Sequence, residues 1–140
     1  MGIERFFVGC DGGATKRGGE PVSLIAVVDD LFFATRIRET ARRVGVEVEL
    51  VPFAQLCERA ARGGVDAVIL DLSAGQALNA LRILKADAAT ASAQVAGFAS
   101  HVATETIAAA RAAGCDQVLA RSAFTRQLPE LLRKLTSSNR

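Results

Sequence analysis

Val68-Ile69-Leu70-Asp71-Leu72 decides the reading of this chain. Four apolar residues, β-branched at the start, surround one acid, and turn-forming Ser73 and Gly75 follow. Such a run reads as a strand buried on both faces of a sheet. An acid near the C-terminal end of that strand stands at the rim, where open α/β folds place their sites. Asp71 is therefore either a chemical group or a turn former.

Working outward, Ser23 to Val28 is a second strongly apolar strand, ending in Asp29-Asp30. Leu31, Ile37, Ala41 and Val44 then fall at helical spacing, and Gly45 is a helix stop. Val46, Val48 and Leu50 alternate with Glu47 and Glu49, the pattern of a half-exposed edge strand. Pro52 turns the chain into a short helix over Phe53 to Arg62, closed by Gly63-Gly64. Beyond the Asp71 strand, a helix is expected over Gln76 to Ala86, with Leu78, Leu81, Ile83 and Leu84 buried. The loop Asp87 to Ala93 leads to a strand over Gln94 to Ala99, weakened by Gly97. A helix over Thr104 to Ala113, a strand over Asp116 to Ala120 and a helix over Thr125 to Leu135 complete the order. Five strands alternating with five helices imply a three-layer α/β sandwich around a parallel sheet. Order 2-1-3-4-5 puts the first and third strands side by side, and with them Asp29, Asp30 and Asp71.

Composition narrows the function. With 140 residues, 50% of them hydrophobic, the chain has room for one domain with a sizeable core, and disorder is excluded for most of it. A net charge of +2 does not point to nucleic acid. Three cysteines and one histidine lack metal-ligand spacing, so zinc is not expected and a reducing compartment is. There is no apolar run long enough for a membrane span and no signal-peptide core in Met1 to Phe7. The expectation is a cytoplasmic protein bound neither to membrane nor to nucleic acid. Residues 1–21, with paired glycines around Lys16-Arg17, read as a flexible extension, 22–136 as the folded domain and 137–140 as a tail.

Within that extension, Asp11-Gly12-Gly13-Ala14-Thr15-Lys16 resembles the first phosphate-binding turn of sugar-kinase and actin-like ATPases. That fold needs a hairpin next, further nucleotide motifs and a much longer chain; here Pro21 and a new strand follow at once. A small phosphoryl-handling enzyme, a kinase through this turn or a phosphatase using Asp71, is the alternative reading.

Three carboxylates at one rim repel unless a cation compensates. Oxygen ligands suit a hard divalent ion, Mg²⁺, held by Asp29, Asp30 and Asp71. Asp71 is then a candidate nucleophile forming an aspartyl phosphate. The plainer reading is that Asp29 caps the first helix and Asp71 begins a turn.

From Val22 to Leu135 the chain resembles the receiver domain of two-component response regulators, which is a CheY-like, flavodoxin-like fold. The resemblance rests on Val27-Val28-Asp29-Asp30, on Ile69-Leu70-Asp71, on Ala112-Ala113-Gly114-Cys115-Asp116, and on their separations. It implies a Mg²⁺-dependent module that takes a phosphoryl group from a histidine kinase onto Asp71. It also implies signalling to a partner through the fourth helix, fifth strand and fifth helix. The alanine-rich Thr104 to Ala113 face suits a homodimer as well.

Four departures alter the readout half of such a module. Ala99 stands at the usual Ser/Thr position, with Ser100 one residue late, and a slip of one residue reverses a strand side chain. Arg121-Ser122 replaces Lys-Pro, and a planar guanidinium does not reproduce an ammonium. Val118 replaces the switching aromatic, and no Met-Pro pair follows Asp71. Two readings follow: a receiver phosphorylated on Asp71, with Ser100 and Arg121 touching the phosphoryl group, or a phosphorylation-independent interaction module. Of the remaining residues, His101 sits at the rim and Cys57 and Cys115 are expected to be buried. The arginines of the first helix form a solvated face, and one of Phe32 and Phe33 is in excess of what a buried helix face needs.

Overall fold

Apolar runs that alternate with helical spacing can bury both faces of a sheet only if helices cover each face. A computed structural model of the chain describes residues 23–88, 90–100 and 102–137. The N-terminal extension with Cys10 and the Asp11 turn, His101 and residues 138–140 lie outside the described residues. The elements run β1 (Leu24–Val27), α1 (Leu31–Val44), β2 (Glu49–Val51), a 3₁₀ turn (Phe53–Gln55), α2 (Leu56–Arg62), β3 (Ala67–Asp71), α3 (Ala77–Ala86), β4 (Gln94–Ala99), α4 (Thr104–Ala112), β5 (Gln117–Ala120) and α5 (Arg121–Ser137). All strand pairs are parallel, in the order β2-β1-β3-β4-β5. The expected α/β sandwich and strand order are therefore those observed. None of the described helices is long and apolar enough to cross a membrane.

Period-two alternation along the strands divides the core in two. Ile25, Val27, Val68, Leu70 and Val95 face one side, against Leu56, Leu81, Leu84 and Ala110. Leu24, Ala26, Ala67, Ile69 and Phe98 face the other, against Phe33, Ile37, Phe124, Leu128 and Leu132. So α2, α3 and α4 cover one face, while α1 and α5 cover the second. Each fully buried Leu, Ile or Phe contributes roughly 1.5–3 kcal/mol. The Phe98 and Phe124 rings stack at 4.1 Å between centroids, with Phe33 against both.

Several local expectations are corrected. The inward stripe of α1 is Phe33, Ala34, Ile37, Thr40 and Ala41, and Leu31 is 80% exposed. The helix begins at Leu31 itself, so its first residue lies at the open end and the stripe starts two positions later. Cys57 is exposed, because Leu56 and Ala60 already define the buried face of α2. Leu78 and Ile83 are only half-buried, and α3 turns Ala77, Ala80, Leu81 and Leu84 inward. β2 begins at Glu49 rather than Val46. Helix α5 begins at Arg121 rather than Thr125, since nothing in Arg121-Ser122-Ala123-Phe124 interrupts a helix once proline is absent. It also carries Pro129 in its interior, at a cost of about 3 kcal/mol. Burial of Phe124, Leu128, Leu131, Leu132 and Leu135 along the same helix offsets that cost.

Gly97 is a packing requirement of β4 rather than a weakness. A Cβ built there would lie 2.7 Å from Leu72 Cδ1 and 3.2 Å from Cys115 Sγ. Gly97→Ala is expected to lower stability by about 1–3 kcal/mol through overpacking, measured by denaturant unfolding. Burial pushes the Cys115 thiol up from its ordinary pKa. In the folded chain at mildly alkaline pH, mass mapping after alkylation is expected to find Cys57 modified and Cys115 protected until unfolding.

Candidate functional site

The register of the two central strands sets the site. Val27 of β1 pairs with Leu70 of β3, so the residues leaving both strands emerge at one rim. Asp29 and Asp30 follow β1, and Asp71 is the last residue of β3. The three acids thus share a rim, as their positions in the sequence predict.

Their side chains do different things there. Asp30 is the N-cap of α1: its Oδ1 accepts from Phe32 N at 2.8 Å and Phe33 N at 3.4 Å. The cap was expected at Asp29; it falls on Asp30 because the helix starts directly after it, and both acids are exposed. Asp29 Oδ1 accepts instead from Phe53 N at 3.2 Å, which ties the end of β1 to the 3₁₀ turn. Asp71 is buried, 5% exposed. Its Oδ1 accepts from Ser73 N at 3.0 Å and from the Ser73 hydroxyl at 2.6 Å, closing an Asx turn. Among the described residues, no group of three or more His, Cys, Asp or Glu side chains comes together to hold a metal.

Arg121 stands at the start of α5, directly after β5. Its Nη2 donates to Ser73 Oγ at 2.9 Å, and its guanidinium carbon lies 5.3 Å from the Phe33 ring centroid. Its Nε is buried without a hydrogen-bond partner among the described residues. Arg121 therefore reaches Asp71 through Ser73 and not directly. Ser73, read in the sequence as a turn former, is the residue that joins the two. A hydroxyl two residues after a rim acid was the available signal.

As the sequence anticipates, Ala99 places no hydroxyl at the end of β4. Ala99 is fully buried and pairs regularly with Ala120. Ser100 lies just beyond the strand, and its Oγ accepts from Val102 N at 3.3 Å. Val118 is half-buried against the core. Small residues, among them Ala74, Gly75, Ala99 and Ala103, leave a cleft of about 360 Å³ beside Ser73. At the start of α1, Phe33 is buried and Phe32 is 62% exposed, with Arg36 over its ring at 5.4 Å.

No family model matches the sequence, and no curated protein sequence matches it. Solved structures do match. A response regulator from Hahella chejuensis is 17% identical with a TM-score of 0.75, covering 85% of this chain and 98% of that one. A response regulator from Thermotoga maritima is 18% identical with a TM-score of 0.70, covering 85% and 100%. The receiver domain of a sensor histidine kinase from Pseudomonas aeruginosa is 20% identical with a TM-score of 0.70, covering 83% and 98%. That last protein was crystallised with a magnesium ion in its active-site cleft.

Asp30→Ala removes the only side-chain cap of α1 and is expected to cost about 1 kcal/mol, whereas Asp30→Asn keeps an acceptor and costs less. Paired denaturant melts of the two variants separate the cap from the charge.

Proposed function

We propose that this chain, which has the CheY-like receiver fold of response regulators, is a signalling module that works by contact with a partner protein and does not depend on a phosphoryl group at Asp71. One observation carries this reading: the Asp71 carboxylate is closed by Ser73, which is itself held by Arg121. A phosphoryl group on a receiver needs a hydroxyl at the end of β4 and a cation beside the acid. Ala99 supplies no hydroxyl, and the guanidinium reaches Asp71 only through Ser73. The partner is a signalling protein, such as a histidine kinase, and the setting is the cytoplasm. The module is not an enzyme of ordinary kind: as a phosphatase nucleophile Asp71 would have to leave its turn.

A second reading has its own support. Asp71 Oδ2 makes no hydrogen bond among the described residues, and Asp29 and Asp30 share its rim. In that reading Asp71 is the phosphoryl acceptor, Asp29, Asp30 and Asp71 serve Mg²⁺, and Ser100 and Arg121 contact the phosphoryl group.

Incubation with acetyl phosphate and Mg²⁺, followed by intact-mass measurement of wild type and Asp71→Ala, separates the two. The expected outcome is no mass increase in either protein. A phosphoryl adduct on wild type that is lost in Asp71→Ala establishes the second reading instead.

A further inference from the structure

We infer that the Arg121 guanidinium, delivered through the Ser73 hydroxyl, is the positive charge that serves the Asp71 pocket in place of a bound divalent cation, and that it competes with one. The inference rests on the phosphorylation-independent reading above and supplies its cause.

A buried carboxylate must be hydrogen-bonded or paired. Ser73 meets that need at one oxygen of Asp71, donating to Oδ1 through its N–H and its hydroxyl. A hydroxyl that donates to a carboxylate can still accept, and here it accepts from Arg121 Nη2 at 2.9 Å. The three groups form one polarised line, guanidinium to hydroxyl to carboxylate, in which each hydrogen bond strengthens the next. Arginine is always charged, and its planar fork can lie over an aromatic ring while it donates. Arg121 does this on Phe33. Among the described residues, Nε is buried and unpartnered and Ser73 is the guanidinium's one polar side-chain contact. Its charge is thereby committed to this line.

Mg²⁺ demands near-ideal octahedral oxygen geometry and sheds water reluctantly. A carboxylate whose Oδ1 is fixed by two donors, one of them backed by a cation, can offer such a shell only its Oδ2. Asp30 is fixed as the cap of α1. The line and the cap thus hold Asp71 and Asp30 in hydrogen bonds that a cation would have to compete with.

The test is Mg²⁺ binding to the full chain by titration calorimetry. The proteins are wild type, Ser73→Ala, Arg121→Ala, the double variant and Ser73→Thr. Wild type is expected to bind Mg²⁺ weakly. Ser73→Ala and Arg121→Ala should each tighten binding by roughly tenfold or more, the scale of one charge-assisted hydrogen bond. The double variant should gain no more than either single one, because both changes break the same line. Ser73→Thr keeps the hydroxyl and should behave as wild type. Ser73 is exposed, so its variants keep the fold and decide the matter even if Arg121→Ala unfolds. Equal Mg²⁺ affinity in wild type and Ser73→Ala, or additive gains in the double variant, overturns the inference. If wild type also takes no phosphoryl adduct, the interaction-module reading survives that failure; an adduct on wild type overturns the reading itself.

Discussion

A carboxylate at the closed end of a buried strand must be satisfied locally, and the arrangement of this rim follows from how that is done. Asp71 ends β3 in the middle of the sheet, with apolar neighbours on both faces. Its nearest donors are those of its own turn. Ser73 provides two of them, and the turn that results fixes where the chain goes before α3. Arg121 then has a neutral, polarised hydroxyl to meet instead of a bare acid. A side chain two residues from the acid therefore decides how the cation at the end of β5 is used.

The same logic of local satisfaction governs the other two acids. Asp30 meets the unpaired N–H groups at the start of α1, and Asp29 meets the N–H of Phe53 across the rim. Position alone makes the three a set, since β1 and β3 are neighbours in register. Hydrogen bonding separates them. The fold depends on strands and register, and the bonding of each rim acid depends on which donor lies closest to each oxygen.

The strands, their order and the shared rim were legible in the sequence because they depend on periodicity and chain order. Val68 to Leu72 and Ser23 to Val28 could only be buried strands, and the alternation with helices left few topologies. What was not legible depends on where an element starts or on what touches a side chain. Asp29 and Asp30 are adjacent, and only the first helical residue determines which of them caps. Leu31 was placed inside on spacing, yet the stripe passes through Phe33. Cys57 sits one residue from a buried Leu56, which on a helix is enough to expose it. Gly97 looked like a flaw in β4 until Leu72 and Cys115 were seen to occupy the space of its missing Cβ. The Ser73–Arg121 contact joins residues 48 apart, and no spacing rule connects them.

Contacts also run from the rim to the surface. Asp71 is joined to Ser73, Ser73 to Arg121, Arg121 to the face of Phe33, and Phe33 edge-on to Phe32 at 5.4 Å. Phe32 and Leu31 are exposed apolar side chains in the first turn of α1, the turn that Asp30 caps. Both ends of this path bear on the same turn: Arg121 through the ring of Phe33, and Asp30 through the N–H groups of Phe32 and Phe33. An ion that drew Asp30 or Asp71 into its shell would have to break the cap, at about 1 kcal/mol, or the Ser73 line. Either change acts where Leu31 and Phe32 are displayed. Asp30 directly, and Asp71 through Ser73, Arg121 and the ring of Phe33, thus bear on one exposed helix start.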